Sequence, residues 1–217
     1  MNDSSKRLIL DLTAEFEAHG KVFSANADAM MPFRRPRPEA SDESIHAIRY
    51  AGVALPLFEV DGEWHLSLMK RTEYPGVHSG QISIPGGERE EGDADLKQTA
   101  MREFLEEMGV PLELPRLIDG LSERFIPPSN FLVKPFIHVM DSEPDWKIDP
   151  TEVQSVLTIP LGEFLKPDAL RPTSISISPD QRVELPAYHW KGEVIWGATA
   201  IILTELTFAW KSMTENH

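Results

Sequence analysis

Three glutamates in one short segment, Glu103, Glu106 and Glu107, have the spacing of side chains that share one face of a helix. Positions i, i+3 and i+4 of a helix fall within an arc about 100° wide. Carboxylates on such an arc repel one another, at a cost of roughly a few tenths of a kcal/mol per pair in an exposed helix. A divalent cation would relieve the repulsion, because Mg²⁺ and Mn²⁺ prefer oxygen ligands and accept several carboxylates. The spacing therefore predicts a metal site, with a solvated helix face as the alternative.

Turn and cap residues define the helix that carries these acids. Asp93 is predicted to cap its start, with Asp95 in the first turn, and Gly109 is predicted to end it. Upstream, Gly86 and Gly87 would let the backbone approach a metal or a phosphate group with no Cβ in the way. An ordinary turn is the alternative for either glycine.

Composition excludes several classes of protein. The 217 residues include 35 acidic and 21 basic side chains, for a net charge of −14, which argues against binding a nucleic-acid backbone. The chain has no cysteine, so disulfides, thiolate zinc sites and a cysteine nucleophile are ruled out. No apolar run reaches the ~18 residues of a membrane span, and the N-terminus lacks the apolar region of an export signal. We expect a cytoplasmic protein without a membrane partner; assembly as a homodimer is left open.

The rest of the chain mixes strands with helices, which predicts an α/β sandwich on a mixed sheet. The length favours one domain with an elaboration, and we divide it into a helix and Pro/Arg-rich strap over 1–40 and a main domain over 41–217. The predicted elements are a helix over 4–19 stopped by Gly20, an extended strap over 30–40, strands over 46–60 and 64–69 joined at Asp61-Gly62, a short strand over 81–84, the acidic helix ending at Met108, strands over 117–126, 132–140 and 153–159, a helix over 161–165, strands over 173–178, 182–188 and 193–196, and a helix over 197–211.

The acidic helix and its flanks resemble the signature of the Nudix hydrolases. That signature has a Gly-Gly turn, an acidic residue near the helix start, and then the pattern of residues 102–110, Arg-Glu-Phe-Leu-Glu-Glu-Met-Gly-Val. Asp93 stands in place of the usual Glu, and eight residues instead of seven separate it from Arg102. This longer spacing is similar to that of the coenzyme A diphosphatase branch, whose upstream motif runs into Phe-Pro-Gly-Gly. His78 and Gly80 fit that motif, as does Pro-Gly-Gly at 85–87.

The resemblance, which spans roughly His46 to Leu206, implies a Nudix-type α/β/α sandwich and a Mg²⁺- or Mn²⁺-dependent cleavage of a diphosphate linkage. It also implies roles for individual residues. Glu103, Glu106 and Glu107 would bind the metal, Glu106 could also act as a base, and Arg102 would orient the acids. Glu152 is a second candidate for the general base, although a Glu that merely opens a strand is the alternative. The candidate substrate-binding residues are Lys70, Arg71, His78, Gly80, Gly86 and Gly87.

The branch implies coenzyme A or an acyl-CoA as the substrate, giving 3′,5′-ADP and 4′-phosphopantetheine. Two departures leave the substrate open, because Gly76 replaces an expected Arg and Ile84 replaces the Phe. Another nucleoside diphosphate derivative, such as ADP-ribose or a dinucleotide, is therefore the first alternative, and a non-catalytic nucleotide-sensing module is the second. Basic side chains could compensate for the missing Arg by binding phosphate groups. These are Lys70, Arg71 and the cluster of Arg34, Arg35 and Arg37.

Overall fold

A computed structural model describes residues 1–30, 48–73, 80–127, 129–178 and 181–215. Residues 31–40 of the predicted strap, with its three arginines, lie outside these ranges, as do Gly76 and His78. The helices are α1 (Asp3–Ala29), α2 (Leu96–Met108), α3 (Leu161–Leu165) and α4 (Gly197–Glu215), and a 3-10 turn covers Leu114–Arg116. The strands are β1 (Arg49–Val60), β2 (Glu63–Arg71), β3 (Ile82–Ser83), β4 (Gly86–Glu88), β5 (Leu117–Ile118), β6 (Arg124–Ile126), β7 (Phe131–Val139), β8 (Val153–Pro160), β9 (Leu170–Ser178), β10 (Gln181–Trp190) and β11 (Glu193–Ile195).

The strands in the described part of the chain form two sheets. In the larger one, the central strand β1 pairs antiparallel with β2 and β4 and parallel with β7. Strand β2 also pairs with β3 and β8, and β7 pairs with β5 and β6, all of them antiparallel. The smaller sheet is the antiparallel series β11-β10-β9. The prediction of a mixed sheet is confirmed.

Helices cover both faces of the larger sheet. The side chains of β1 alternate between the two faces, so each face contributes to a separate core. Ala54 and Phe58 belong to a cluster with Phe104 of α2. Leu55 and Leu57 belong to a second cluster, which takes in the buried sides of α1 and α4. The predicted α/β/α sandwich is therefore confirmed. None of the described helices is both long enough and apolar enough to span a membrane.

Helix α1 is longer than predicted, since it continues through Gly20 to Ala29. A glycine inside a helix costs about 1 kcal/mol relative to alanine. Burial of Phe23 and Ala27 on the far side of Gly20 offsets that cost. The helix shares the core of α4, so residues 3–29 pack as part of the main fold. The boundary proposed at residue 40 stays a prediction.

The single strand predicted over 117–126 is also wrong, because the chain forms two short strands, β5 and β6, with a break between them. At the break the backbone of Gly120 lies against the ring of Phe16, where a Cβ would come within 3 Å of the Phe16 side chain. Leu121 is fully buried next to it. The strand is interrupted because α1 packs against it, a contact that the local sequence does not encode.

A buried carboxylate, Glu205 of α4, lies beside this break. It accepts hydrogen bonds from the backbone N–H of Ser122 at 3.1 and 3.2 Å, from Ser122 Oγ at 2.7 Å and from Arg124 Nη2 at 2.5 Å. Arg124 Nη1 reaches Asp28 Oδ1 at the end of α1, at 2.6 Å. The cluster therefore ties α1, β6 and α4 together, and we call these four residues the Glu205 cluster.

Candidate active site

The acidic helix α2 begins two residues later than predicted. Its N-cap is Asp95, whose side chain accepts the N–H of Gln98 at 2.9 Å. The predicted end is confirmed, since Gly109 adopts the left-handed conformation with φ of 68°. Beyond it, the segment 147–149 donates its N–H groups to the last carbonyls of the helix, from Lys147 to Met108 and from Asp149 to Glu107. Both ends of the helix are thus fixed.

Asp93, predicted to be the N-cap, instead anchors Arg102. Its carboxylate accepts Arg102 Nε at 3.1 Å and Nη2 at 2.9 Å, and also the N–H of Glu90 and the hydroxyl of Thr99, each at 3.0 Å. The hydrogen bonds from Arg102 are the main reason that the pKa of Asp93 lies well below its usual range. Arg102 Nη2 also donates to the backbone carbonyl of Glu88 at 3.0 Å. The guanidinium is therefore held rigidly between the helix and β4.

The remaining nitrogen of Arg102 connects two of the predicted metal ligands. Arg102 Nη1 donates to Glu103 Oε1 at 2.9 Å and to Glu106 Oε2 at 3.1 Å. Burial raises the pKa of Glu103, and the charges of Glu106 and Glu152 act in the same direction. The carboxylate of Glu103 lies against Gly87, where a Cβ would come within 3 Å of it. Gly87 therefore makes room for Glu103. Arg102 contacts two of the predicted metal ligands, and its orienting role stays a prediction.

Glu107 is the most deeply buried of the three acids, with 2% of its side chain exposed. The N–H of Gly86 donates to its Oε2 at 2.7 Å, and Arg71 Nη1 lies 3.4 Å from its Oε1. Burial raises the pKa of Glu107 to about 8; the charges of Glu103 and Glu152 add to this effect, while Gly86 and Arg71 oppose it. The site thus holds a buried carboxylate whose charge is only partly compensated.

Gly86 and Gly87 are not in a turn, since they form β4, which pairs with Val53 and Gly52 of β1. Gly86 has a φ of 141°, and a Cβ there would collide with the backbone of Gly52 and Val53. This close pairing fixes the Gly86 N–H that reaches Glu107. The two glycines therefore position the acids, while their predicted contact with substrate stays a prediction.

Three other residues that were predicted to belong to this site have different surroundings. Glu152 precedes β8, is exposed, and is near enough for its charge to raise the pKa of both Glu103 and Glu107. Gly80, with φ of 64°, donates its N–H to the carbonyl of Thr72 at 3.3 Å. Lys70 points elsewhere, because its Nζ donates to Glu193 Oε1 of the smaller sheet at 2.7 Å. The roles given to these residues stay predictions.

The donor set suits a hard divalent cation, because Glu103, Glu106 and Glu107 offer only oxygen atoms and carry mutually repelling charges. Within the described ranges, however, no three acidic or histidine side chains are grouped closely enough to form a ready metal-binding cluster. Arg102 holds Glu103 and Glu106, and Arg71 faces Glu107, so guanidinium groups contact oxygens that a metal would use. The residues fit the ion, provided that these side chains rearrange when it binds.

Two features of the site were missed by sequence reasoning. The Asp93–Arg102 pair joins residues nine positions apart, across the start of α2. The Arg71–Glu107 pair joins residues 36 positions apart, on β2 and α2. The first could have been suspected from a second capping candidate, Asp95, two residues after Asp93. The second has no local signal, because only the tertiary fold brings β2 to the end of α2.

Comparison with known proteins identifies the class of protein. The family model described as NUDIX domain matches residues 48–181. A protein called uncharacterized Nudix hydrolase NudL, from Enterobacter sp. (strain 638), is 32% identical over 185 residues, which cover 82% of this chain and 91% of that protein. Nudix hydrolase 15, mitochondrial, from Arabidopsis thaliana is 33% identical over 176 residues, which cover 76% of this chain and 60% of that protein. The chain therefore belongs to the Nudix hydrolase family, and the predicted family is confirmed.

A solved structure agrees with the fold. The MutT/nudix family protein from Enterococcus faecalis superposes with a TM-score of 0.53 at 14% sequence identity, covering 83% of this chain and 66% of that chain. At this identity the match supports the architecture alone. The family and the hydrolase class are thus established, whereas the coenzyme A diphosphatase branch stays a prediction.

Proposed function

We propose that this Nudix hydrolase cleaves the diphosphate linkage of a nucleoside diphosphate derivative, with coenzyme A or an acyl-CoA as its preferred substrate, in the cytoplasm. One observation carries the proposal: Glu107 is buried beside two further glutamates on the same helix, and its charge is only partly compensated. Such an arrangement destabilises the metal-free protein, because each carboxylate raises the cost of ionising the others. A bound cation would offset that cost, so the arrangement supports a metal-binding role for the three glutamates.

The proposed mechanism assigns separate tasks to the residues around α2. A divalent ion held by Glu103, Glu106 and Glu107 would supply a neutralising charge for the diphosphate and a more acidic water molecule. Arg102, fixed by Asp93, holds Glu103 and Glu106 on the side of the helix that faces β4. A substrate diphosphate approaching this face would meet an acidic surface. Arg71, whose side chain is partly exposed, could bind a phosphate oxygen there, whereas Arg102 is already engaged by Asp93, Glu103 and Glu106.

The proton of the attacking water needs an acceptor with access to solvent. Glu106, with 59% of its side chain exposed, and Glu152 both meet this condition. The variants Glu106→Gln and Glu152→Gln distinguish the two candidate bases. Replacement of the general base should lower kcat by about 10²-fold or more while the affinity for Mn²⁺ changes little. Replacement of a metal ligand should weaken Mn²⁺ binding as well.

The preference for coenzyme A rests on the resemblance of residues 68–87 to the upstream motif of that branch. The test is a panel of coenzyme A, acetyl-CoA, ADP-ribose and a dinucleotide, each incubated with Mg²⁺ or Mn²⁺, with products identified by mass. Coenzyme A should give 3′,5′-ADP and 4′-phosphopantetheine. Glu107→Gln protein, prepared in the same way, controls for contaminating hydrolases. Turnover of ADP-ribose far above that of coenzyme A would favour the alternative substrate, which the departures at Gly76 and Ile84 leave open.

The missing guanidinium at Gly76 allows a sharper test of the same proposal. Arg34, Arg35 and Arg37 can be replaced together by Gln, whereas truncation of residues 1–40 would also remove the core side chains of α1. If these arginines bind the 3′-phosphate, KM for coenzyme A should rise about tenfold or more, in line with ~1.5–3 kcal/mol per charge-assisted hydrogen bond. KM for 3′-dephospho-coenzyme A should stay unchanged. Gly76→Arg should then partly restore binding of coenzyme A.

A further inference from the structure

Arg71 and Glu107 form an unequal pair. Glu107 is almost fully buried, whereas 25% of the Arg71 side chain is exposed. Within the described part of the chain, Arg71 provides the one cationic contact of Glu107, and its 3.4 Å separation is long for a charge-assisted hydrogen bond. The N–H of Gly86 satisfies only the other oxygen of the carboxylate. The contact between the two side chains is therefore weak. Glu107 is shielded from solvent, whereas Arg71 is accessible to it.

The backbone aims Arg71 at this carboxylate. The pairing of β2 with β8 shifts register between Lys70, which faces Ser155, and Arg71, which faces Val153. A register shift of this kind redirects the side chain that follows it. Arg71 N–H is fixed by the carbonyl of Gln81 at 3.0 Å. Lys70, one residue earlier, pairs with Glu193 instead. Two neighbouring cations thus serve different carboxylates.

We propose that Arg71 is an internal counter-ion of the metal site: it holds Glu107 in the metal-free protein and must give up this contact when a divalent cation binds. The inference rests on the proposed metal dependence of the enzyme. A guanidinium and a metal ion compete for the same carboxylate oxygen, and their like charges repel at short range. The long contact and the exposure of Arg71 make the exchange easy. Arg71 is thus a positioning residue that sets how tightly the site binds its metal.

The test measures metal binding instead of turnover. Mn²⁺ affinity is determined by the electron paramagnetic resonance signal of the free ion, for the wild-type chain and for Arg71→Gln. We expect the variant to bind Mn²⁺ about tenfold more tightly, because a competing positive charge has been removed. Arg71→Lys, which keeps the charge, should stay nearer to the wild-type affinity. Circular dichroism of each metal-free variant confirms that it is folded.

Two controls make the result specific. Lys70→Gln removes the same charge one residue away but leaves the contact with Glu107, so its Mn²⁺ affinity should match that of the wild-type chain. In a Glu107→Gln background, Arg71→Gln should no longer tighten Mn²⁺ binding, because the contested carboxylate is gone.

The outcomes separate this inference from the proposed function. If the wild-type chain binds Mn²⁺ and Arg71→Gln binds it equally or more weakly, the counter-ion role is wrong. Equal tightening by Lys70→Gln would also overturn it, since the effect would then reflect net charge alone. If the wild-type chain fails to bind Mn²⁺ at millimolar concentration, the proposed metal dependence itself is wrong, and this inference with it.

Discussion

Glu107 and Glu205 are both buried glutamates that face an arginine, yet their surroundings differ. Glu205 has no exposed surface and accepts close hydrogen bonds on both oxygens, from Ser122 and from Arg124 at 2.5 Å. Glu107 has one close hydrogen bond, from Gly86, and an arginine that remains 3.4 Å away. The Glu205 cluster satisfies its charge within the protein, whereas the Glu107 site leaves part of it uncompensated.

This difference indicates different uses for the same side chain. A buried carboxylate whose bonds are all made inside the protein has its charge satisfied by the fold, and removal of one partner leaves the other buried and unpaired, which is strongly destabilising. A buried carboxylate that is only partly paired costs stability. Because the chain is a Nudix hydrolase, the proposed reason for retaining Glu107 is metal binding. Removing the charge of Glu205 should therefore lower stability and spare turnover. Removing the charge of Glu107 should lower turnover and spare stability.

The largest effect that we expect is on stability, from Glu205→Gln. Arg124 would keep only Asp28 as a charged partner. The buried Nε of Arg124 already has no hydrogen-bond acceptor. Breaking a buried ion pair in this way costs about 3–5 kcal/mol. Urea denaturation measures the loss. Turnover per folded molecule should be close to that of the wild-type enzyme, and a loss of turnover without a loss of stability would contradict the structural role of Glu205.

Glu107→Gln should show the reverse pattern. Turnover should fall by about 10²-fold or more, equivalent to ~2.7 kcal/mol, because stabilisation by a bound metal is worth several kcal/mol. Stability in the presence of a chelator should hold or rise, since one of several repelling charges has been removed. Steady-state kinetics and urea denaturation of the same preparation check both. A variant that loses stability and keeps its turnover would reduce Glu107 to a structural residue.

The pH dependence of stability should distinguish the two glutamates further. The pKa of Glu107 is raised from 4.5 to about 8, so the folded protein binds a proton more tightly than the unfolded chain does. Its contribution to stability is therefore present below pH 4.5 and is lost as the pH rises to about 8, with a slope of up to ~1.4 kcal/mol per pH unit. Between pH 6.5 and 8, the metal-free wild-type protein should lose stability. Glu107→Gln should remove this slope, while Glu205→Gln should retain it.

The choice of pH range avoids another buried group. His138 accepts the N–H of Glu113 at 3.0 Å, and burial, helped by the charge of Arg116, lowers its pKa from 6.5 to about 4. The folded protein thus binds this proton less tightly than the unfolded chain, and stability from His138 is lost as the pH falls from 6.5 to 4. That slope opposes the slope from Glu107. A wild-type protein whose stability is flat between pH 6.5 and 8 would contradict the raised pKa of Glu107.

Local signals predicted the elements that local chemistry determines. The Asp61-Gly62 turn has positive φ at both residues, 51° and 83°, as such a hairpin turn requires. The end of α2 at Gly109 and the whole of α3 were also predicted correctly. In each case the decisive residues are neighbours in sequence. The spacing of the three glutamates belongs with them, because helical periodicity alone places them on one face.

Contacts between distant segments explain the errors. Helix α1 passes through Gly20 because Phe23 and Ala27 in its second half are buried, and β5 is separated from β6 because Gly120 meets Phe16. The charged partners follow the same rule, since Arg71 and Glu107 are 36 residues apart and Arg124 and Glu205 are 81 apart. A sequence shows that a glutamate exists but not which arginine will face it. The distinction between the two buried glutamates therefore required the structure.

The smallest expected effect tests the edge of the Glu205 cluster. Asp28 bonds Arg124 at 2.6 Å, but 55% of its side chain is exposed. Exposed ion pairs contribute about 0.2–1 kcal/mol, so Asp28→Asn should lower the free energy of unfolding by no more than ~1 kcal/mol. Asp11→Asn, which removes another acid of α1 that pairs with Arg7, is the control and should change stability by less than ~0.5 kcal/mol. Urea denaturation resolves these values when the variants are measured together. A loss of 3 kcal/mol or more for Asp28→Asn would mean that Arg124 depends on the exposed acid as strongly as on Glu205, and burial would then no longer explain why the two glutamates differ.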